Sequence, residues 1–456
     1  MKRTLIGEVV DWQADARLFL LNRTPLGFIY RNFLKRFKPT RALVIWSWKT
    51  FFPLWVTVYR RFSTRVQKLP LACFSDLPGQ STRLAEQEVV KTPAPRIFPE
   101  RLASKCPSPH EQYTFPAIYT VQVVGFNVRG SSSFLIGDSA LYHHDLLRAP
   151  YDYTSEELHG RMVIKPAKGF SYLLPCNKGK EKVVEEAAVF TDALSSNYAH
   201  FMTEVLPRIA MFVTHVPGNI PLVIDAGLHA NIMSAIELLA GSERDLLLLE
   251  RGSAIYIEKA HATSSCGYVP FERRARSEKL KGHSQGQFSP VALKAVRDKI
   301  FAELKLESCG GKRLFIRRNS GYRNVLNAKE IEEVLVARGF EVVEPEKLSF
   351  AEQVAVFSSA DVVVGATGAA FANLLFCNPG TQLIIMIAQL ENTSYYYWQS
   401  MACASGNAIT YVFGSLEQGL GHSIHSDFHV DPQHIIAAID QPLAHSGGCD
   451  SETVRK

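Results

Sequence analysis

The sequence predicts an α/β protein whose C-terminal part is a doubly wound domain on a parallel sheet. Two observations carry that expectation. From Arg313 onward, short apolar runs alternate with amphipathic segments of about ten residues, the pattern of right-handed βαβ crossovers. Within it, Asp361 to Gln382 (DVVVGATGAAFANLLFCNPGTQ) passes from an apolar run through Gly365-Ala-Thr-Gly368 into a helix-like segment ending at Phe376. Strand, small-residue turn and helix in that order aim backbone N–H groups over a sheet edge, which suits a phosphate or diphosphate. Glycines that only ease a tight corner would leave the same pattern.

The elements follow in order. RLFIRR (Arg313 to Arg318) reads as a strand and Ala328 to Arg338 as an amphipathic helix. FEVVEP is a second strand, SFAEQVAVFSSA a second helix, DVVVG a third strand and TQLIIMI a fourth. Ser349 is placed to cap the second helix, with Glu352 three residues on completing a capping box. Upstream, VQVVGFNVRGSSSFLIGDSALYHHDLL gives short strand-like runs. NYAHFMTEVLPR (Asn197 to Arg208) gives a helix, PLVIDA a strand and IMSAIELLA a helix. At 456 residues the chain is too long for one ordinary core and suits two α/β lobes plus an extension.

Charge divides the chain. Met1 to Leu71 holds 14 Lys and Arg against 3 acids, a net of +11, while the rest carries 36 basic and 41 acidic residues, a net of −5. Four of the five tryptophans (Trp12, Trp46, Trp48, Trp55) lie in this basic arm. Basic residues interleaved with large aromatics suit the interface of an anionic membrane. Ala42 to Tyr59 is apolar, but Lys49 and Pro53 interrupt it. A spanning helix needs about twenty apolar residues, so the arm is expected to lie on a membrane rather than cross it. Nucleic acid is not expected as a partner, since the body is acidic and the arm has no recognisable nucleic-acid fold.

The expected organisation is therefore a membrane-associating arm over 1–75, a Pro/Ser-rich linker over 76–111 and an N-terminal α/β lobe over 112–285. A C-terminal Rossmann-like lobe over 286–440 and a disordered tail over 441–456 complete it. Lys279 to Pro290 is the inter-lobe linker candidate. The eight cysteines form no Cys-x-x-Cys and no regular framework, which favours a reducing compartment. No signal-peptide pattern is evident. The cytoplasmic face of the inner membrane is accordingly expected over a Golgi lumen.

NYAHFMTEVLPR, RRNSGYRNVLNAKEIEEVL, SFAEQVAVFSSADVVVG and GAAFANLLFCNPG together resemble glycosyltransferase family 61, over about Tyr119 to Asp431. The family commonly has a His where this chain has Thr367, so a role resting on that His has no counterpart here. The resemblance implies a two-lobed, GT-B-like fold with the site in the cleft. It also implies a nucleotide-sugar donor and inversion at the anomeric centre.

Such a transfer needs a base for the acceptor hydroxyl and positive charge or N–H groups for the leaving diphosphate. His200 and Glu204 share a helix face, with Asn197 one turn earlier; either is the candidate base. A surface pair at this spacing would look alike. Pro207 is expected to kink or end that helix. Arg317, Arg318 and Arg323 are the candidate diphosphate ligands, joined by Gly365, Thr367, Gly368, Ala369 and Asn373. A solvated basic loop is the plainer alternative. Asn197, Arg208, His422 and His425 are expected on the acceptor or sugar side. No Asp-x-Asp is present, and neither a metal nor another cofactor is expected.

The resulting expectation is an inverting, metal-independent glycosyltransferase acting on a cell-surface polysaccharide or glycolipid. Its partners would be a nucleotide sugar, a glycan or glycolipid acceptor and an anionic membrane surface. A sugar-nucleotide epimerase or hydrolase, and a catalytically silent sugar-binding scaffold subunit, are the alternatives.

Overall fold

The computed structural model describes residues 1–6, 25–32, 39–40, 43, 46–47, 51, 54, 56–58, 60–62, 66–105, 111–144, 162–165, 170–173, 182–251, 253–269, 286–307, 310–390, 395–416 and 426–441. The architecture is mixed α/β, with two large sheets on either side of a shared helical layer.

The first sheet contains β1 (Arg3–Ile6), β2 (Ile118–Arg129), β3 (Lys182–Val189), β4 (Leu222–Asp225), β5 (Leu246–Leu249) and β6 (Ala254–Thr263). They run in the order β1-β5-β4-β3-β6-β2, parallel except where β2 pairs β6. The second contains β7 (Lys312–Ile316), β8 (Glu341–Val343), β9 (Ala360–Ala366), β10 (Gln382–Ala388) and β11 (Ala408–Leu416), all parallel, in the order β8-β7-β9-β10-β11. Strands such as LVID and VVVG are apolar on both faces because both faces are covered.

Between the sheets lie α1 (Tyr198–His200, Phe201–Val205 and Leu206–His215 in one run), α2 (Ala230–Ala240) and α3 (Pro290–Leu304). The outer face of the second sheet is covered by α4 (Ala328–Val336), whereas α5 (Phe350–Ser358) and α6 (Tyr396–Ala404) face inward. The last helix, α7 (Pro432–Asp440), packs beside α4. Phe201, Leu206, Ile209 and Phe212 of α1 are fully buried in the shared core, each worth roughly 1.5–3 kcal/mol of burial. This packing fixes α1 against both sheets. Ser349 and Glu352 form the expected capping box, with Glu352 N–H donating to Ser349 Oγ at 3.3 Å and Ser349 N–H to Glu352 Oε2 at 2.8 Å.

Several segments differ from expectation. Residues 76–111 form strands Gly79–Ala85, Glu88–Lys91 and Arg96–Phe98 rather than a plain linker. Gly79–Ala85 pairs with β2 of the first sheet and Arg96–Phe98 with β11 of the second, so this segment ties the sheets together. Pro93 and Pro95 fall between these short strands and Pro99 directly after the last, where a missing N–H breaks no ladder. Both ends of the expected arm are also strands: β1 pairs β5, and Gln67–Cys73 pairs Phe170–Leu173 and Leu141–His143. Ala369–Phe376 is a 3₁₀ helix, closed by Phe371 N–H to Gly368 O and Cys377 N–H to Leu374 O, and Asn378 before Pro379 disfavours further α-winding. Of the Lys279 to Pro290 segment, 279–285 lies outside the described residues, Gln287–Phe288 is a strand and Pro290 opens α3. Residues 442–456 of the expected tail also lie outside. Among the described residues, no helix is long and apolar enough to cross a membrane.

Candidate active site

The site begins with a local conflict in α1. Asn197 caps the helix, its side chain accepting from Ala199 N–H at 3.1 Å. Pro207 has no N–H, and its ring would strike the carbonyl four residues back, on Thr203. The helix widens instead: Phe201–Val205 is a π-turn in which Leu206 N–H reaches Phe201 O. Gly267 leaves room for the displaced Thr203 carbonyl, since a Cβ at 267 would collide with it. Single π-turns recur at functional sites, and this one carries Glu204.

Glu204 Oε2 lies 2.5 Å from His200 Nδ1, and Oε1 accepts from Val269 N–H at 2.9 Å. Burial pushes the Glu204 carboxyl above the ordinary range, against the opposing pull of His200. Arg208, one turn on, donates to the Glu204 carbonyl at 3.1 Å and to Asp192 Oδ2 at 3.1 Å. Glu204, Arg208, Asp192, Ser133, His144 and Tyr268 line a cavity of about 70 Å³, room for a few waters or hydroxyls. The cavity lies beyond the C-terminal ends of β3 and β6, the edge where open α/β sheets bind ligands. Beneath it, Asp225 at the end of β4 accepts from Ser131 N–H at 2.5 Å and Asp192 N–H at 2.9 Å. Burial raises its carboxyl to about 6 despite those bonds.

The second cluster lies where β7 and β9 end. Arg318 donates to the Tyr322 carbonyl through Nε at 3.2 Å and Nη2 at 3.1 Å. Its Nη1 lies directly against Gly368, where a Cβ would collide with it. Burial and the neighbouring charge of Arg323 both lower the pKa of Arg318. Arg323 has left-handed backbone (φ 59), and its Nε is buried with no partner among the described residues. Neither arginine forms an ion pair there with a described carboxylate. Asp427 and Glu346 act on Arg318 only from beyond ion-pair distance, and a half-buried pair of cations in that state is suited to an anion.

The remaining expected ligands are placed differently. Arg317 points to the other side of the strand, bonding Glu332 Oε2 at 2.7 Å and Glu344 Oε1 at 2.9 Å, so its guanidinium is already neutralised. Asn373 is fully buried: Oδ1 accepts from Tyr198 OH at 2.7 Å, and Nδ2 donates to Gln353 Oε1 at 2.7 Å. It is a tie between α1, α5 and the 3₁₀ helix rather than an exposed ligand. That tie joins the N-terminal end of the Glu204 helix to the 3₁₀ helix that follows the Gly365–Gly368 turn. Thr367 Oγ1 accepts from Trp398 Nε1 at 3.0 Å, and Gly365 makes way for Ile316 and Phe371. Ala369 is exposed at the start of the 3₁₀ helix, and Asn197 is exposed at its cap. His422 and His425 lie outside the described residues; Asp427 accepts from Asn324 N–H at 2.7 Å.

Sequence reading missed Asp192, Asp225 and the aromatic run Tyr395 to Trp398. Tyr397 OH is 3.3 Å from Thr203 Oγ1, which wedges the run between the π-turn and Thr367. An aspartate ending an otherwise apolar strand, as in LVID, was the available signal. Among the described residues, no group of three His, Cys, Asp or Glu could hold a metal, and no disulfide joins any two of Cys73, Cys266, Cys377 and Cys403.

A family model described as Glycosyltransferase 61 matches residues 198–384. The span runs from the first residue of α1 into β10 and contains Glu204, Arg208, Arg318, Arg323 and Gly368, and it supports the family assignment expected from the motifs. The family indicates a glycosyltransferase. No curated protein matches the sequence.

Proposed function

We propose that the chain is an inverting, metal-independent glycosyltransferase that moves a sugar from a nucleotide-sugar donor to a growing cell-surface polysaccharide or glycolipid. The reading rests most on one juxtaposition. The Tyr198–Asn373 bond ties the helix that carries Glu204, a buried carboxyl of raised pKa, to the 3₁₀ helix that follows the turn against which Arg318 packs. In this reading the two sheets are the two lobes of a GT-B-like enzyme, with β1 and Gln67–Cys73 of the expected arm belonging to the first. Segment 76–105 crosses between the lobes instead of linking an arm to one of them.

Glu204 is the base in this reading, because it lines the cavity whereas His200 holds it from behind. The acceptor hydroxyl enters the cavity beside Arg208, Asp192 and His144. Its oxygen attacks the anomeric carbon as the proton passes to Glu204. The bond to the diphosphate breaks on the opposite face, and the departing charge falls on Arg318 and Arg323 and on N–H groups after Gly368. A carboxylate with a raised pKa is a better proton acceptor near neutrality than an ordinary one. The arginines supply charge that a metal would otherwise provide.

The test is sugar transfer by Glu204→Gln with the donor that binds the protein. Loss of the base lowers kcat by about 10²- to 10⁴-fold while donor affinity is kept. Nuclear magnetic resonance of the product should show the anomeric configuration opposite to the donor's. Retained activity in Glu204→Gln, or conversion of the donor without any acceptor, would overturn the reading.

A further inference from the structure

We infer that Tyr322 is the platform on which the donor's nucleobase stacks, at the rim of a crevice that the strand order leaves between β7 and β9. The role rests on the transferase reading and adds to it a residue that tells a nucleoside diphosphate from a bare diphosphate.

The crevice follows from topology. In the order β8-β7-β9-β10-β11, the chain leaves β7 for β8 on one side and then comes back to β9 on the other. The connection after β7 runs through α4 on the outer face, whereas the 3₁₀ helix Ala369–Phe376 that follows β9 is buried on the inner face. Neighbouring strands whose outgoing chains part to opposite faces leave a gap beyond their carboxyl ends, where open α/β sheets take nucleotides. The loop that follows β7 forms one wall of the gap, and Gly365–Gly368 forms the other. Arg318 spans it: Nη1 lies against Gly368, while Nε and Nη2 donate to the Tyr322 carbonyl.

The backbone holds Tyr322 at this rim. Besides the two bonds from Arg318, its carbonyl accepts from Ser320 Oγ at 2.7 Å. Further along the loop, Asn324 N–H donates to Asp427 Oδ1 at 2.7 Å and Leu326 N–H to the Phe428 carbonyl at 2.8 Å. The side chain is not buried with that backbone, and 49% of the residue is exposed. Its ring keeps company with the cations, the Arg323 guanidinium standing 5.4 Å from the ring centroid. A half-exposed aromatic on a fixed backbone, beside two arginines suited to an anion, fits a ligand with both a negative charge and a flat ring. A nucleoside diphosphate has both, whereas pyrophosphate has only the charge. Stacking on tyrosine is open to every base, because each has a π-face.

Isothermal titration of the full chain tests it, with the diphosphates of uridine, guanosine, adenosine, cytidine and thymidine and with inorganic pyrophosphate. Tyr322→Ala should weaken the best-bound nucleoside diphosphate by about 5- to 150-fold and change pyrophosphate affinity by less than about threefold. The thermal midpoint should hold, since the carbonyl that Arg318 bonds belongs to the main chain. Tyr322→Phe should bind like wild type, because stacking needs the ring and not the hydroxyl. Unchanged nucleotide affinity in Tyr322→Ala would overturn the proposal. So would an equal loss of pyrophosphate, which would make Tyr322 a support for Arg318, or a loss in Tyr322→Phe as large as in Tyr322→Ala. These three results leave the transferase reading standing. Failure of wild type to bind any nucleoside diphosphate or pyrophosphate would instead overturn that reading, and the role of Tyr322 with it.

Discussion

Gly368 gives the sharpest handle on the anion site. Its φ of 171 is extended backbone that any residue adopts, so Gly368→Ala places no strain on the main chain. The new methyl would occupy the position now filled by Arg318 Nη1. That atom ends a flexible side chain, so the guanidinium swings away and the fold stays intact. Stability should change by no more than about 1 kcal/mol, since the alanine also restricts the unfolded chain. Binding is different. If Arg318 meets a diphosphate oxygen, losing one charge-assisted hydrogen bond costs about 1.5–3 kcal/mol, or roughly 10- to 150-fold in Kd. Isothermal titration with the preferred nucleoside diphosphate measures this directly. Arg318→Ala should show a similar loss, and Gly368→Ala should add almost nothing in that background, because both remove the same contact. Unchanged affinity in both single variants would refute the reasoning. Fully additive losses would show that Gly368 acts by some route other than Arg318.

Three further outcomes follow from the geometry. Asp225 holds its proton to about pH 6 in the folded state but releases it near 3.8 when unfolded, so the folded state binds more protons between these values. Stability should therefore fall as pH rises from about 4 to 6, by up to ~3 kcal/mol, and Asp225→Asn should flatten that slope in thermal melts. Glu204, also raised by burial, contributes in the same sense, so the comparison with wild type isolates Asp225. Asn373→Leu leaves Tyr198 OH and the Gln353 amide without their partner in a buried network and should destabilise by about 2–4 kcal/mol in urea. Gly267→Ala drives a methyl into the Thr203 carbonyl, a backbone atom with no room to retreat. It should lower both thermal stability and transfer rate, and Gly267→Ala with native-like values of both would contradict the tight π-turn packing.

Local patterns were the legible part. Ser349 and Glu352 were readable because a capping box needs only residues three apart, and the strands from Arg313 to Ile387 because their apolar runs are bounded by clear turns. Arg317 and Arg318 were not separable. Neighbours on a strand point to opposite faces, and which one meets the turn depends on Glu332 and Glu344 being placed across the chain. Asn373 looked like a ligand because it follows the glycine turn, yet its role is set by Tyr198, 175 residues earlier. Segment 76–111 read as a linker because its short strands each carry little periodicity and gain their meaning only from β2 and β11. The π-turn was half visible: Pro207 announced a disturbance, but the widened turn depends on Gly267 lying opposite.

The most direct test of the central claim is thermal stability of the purified protein against a panel of nucleoside diphosphates and sugar nucleotides, with and without chelator. A ligand that binds only the folded state adds about 2.7 kcal/mol at a hundred times its Kd. The account predicts a shift with one nucleotide base, unchanged by chelator and abolished when Arg318→Ala and Arg323→Ala are combined. No shift with any nucleotide, or a full shift in the double variant, would contradict it.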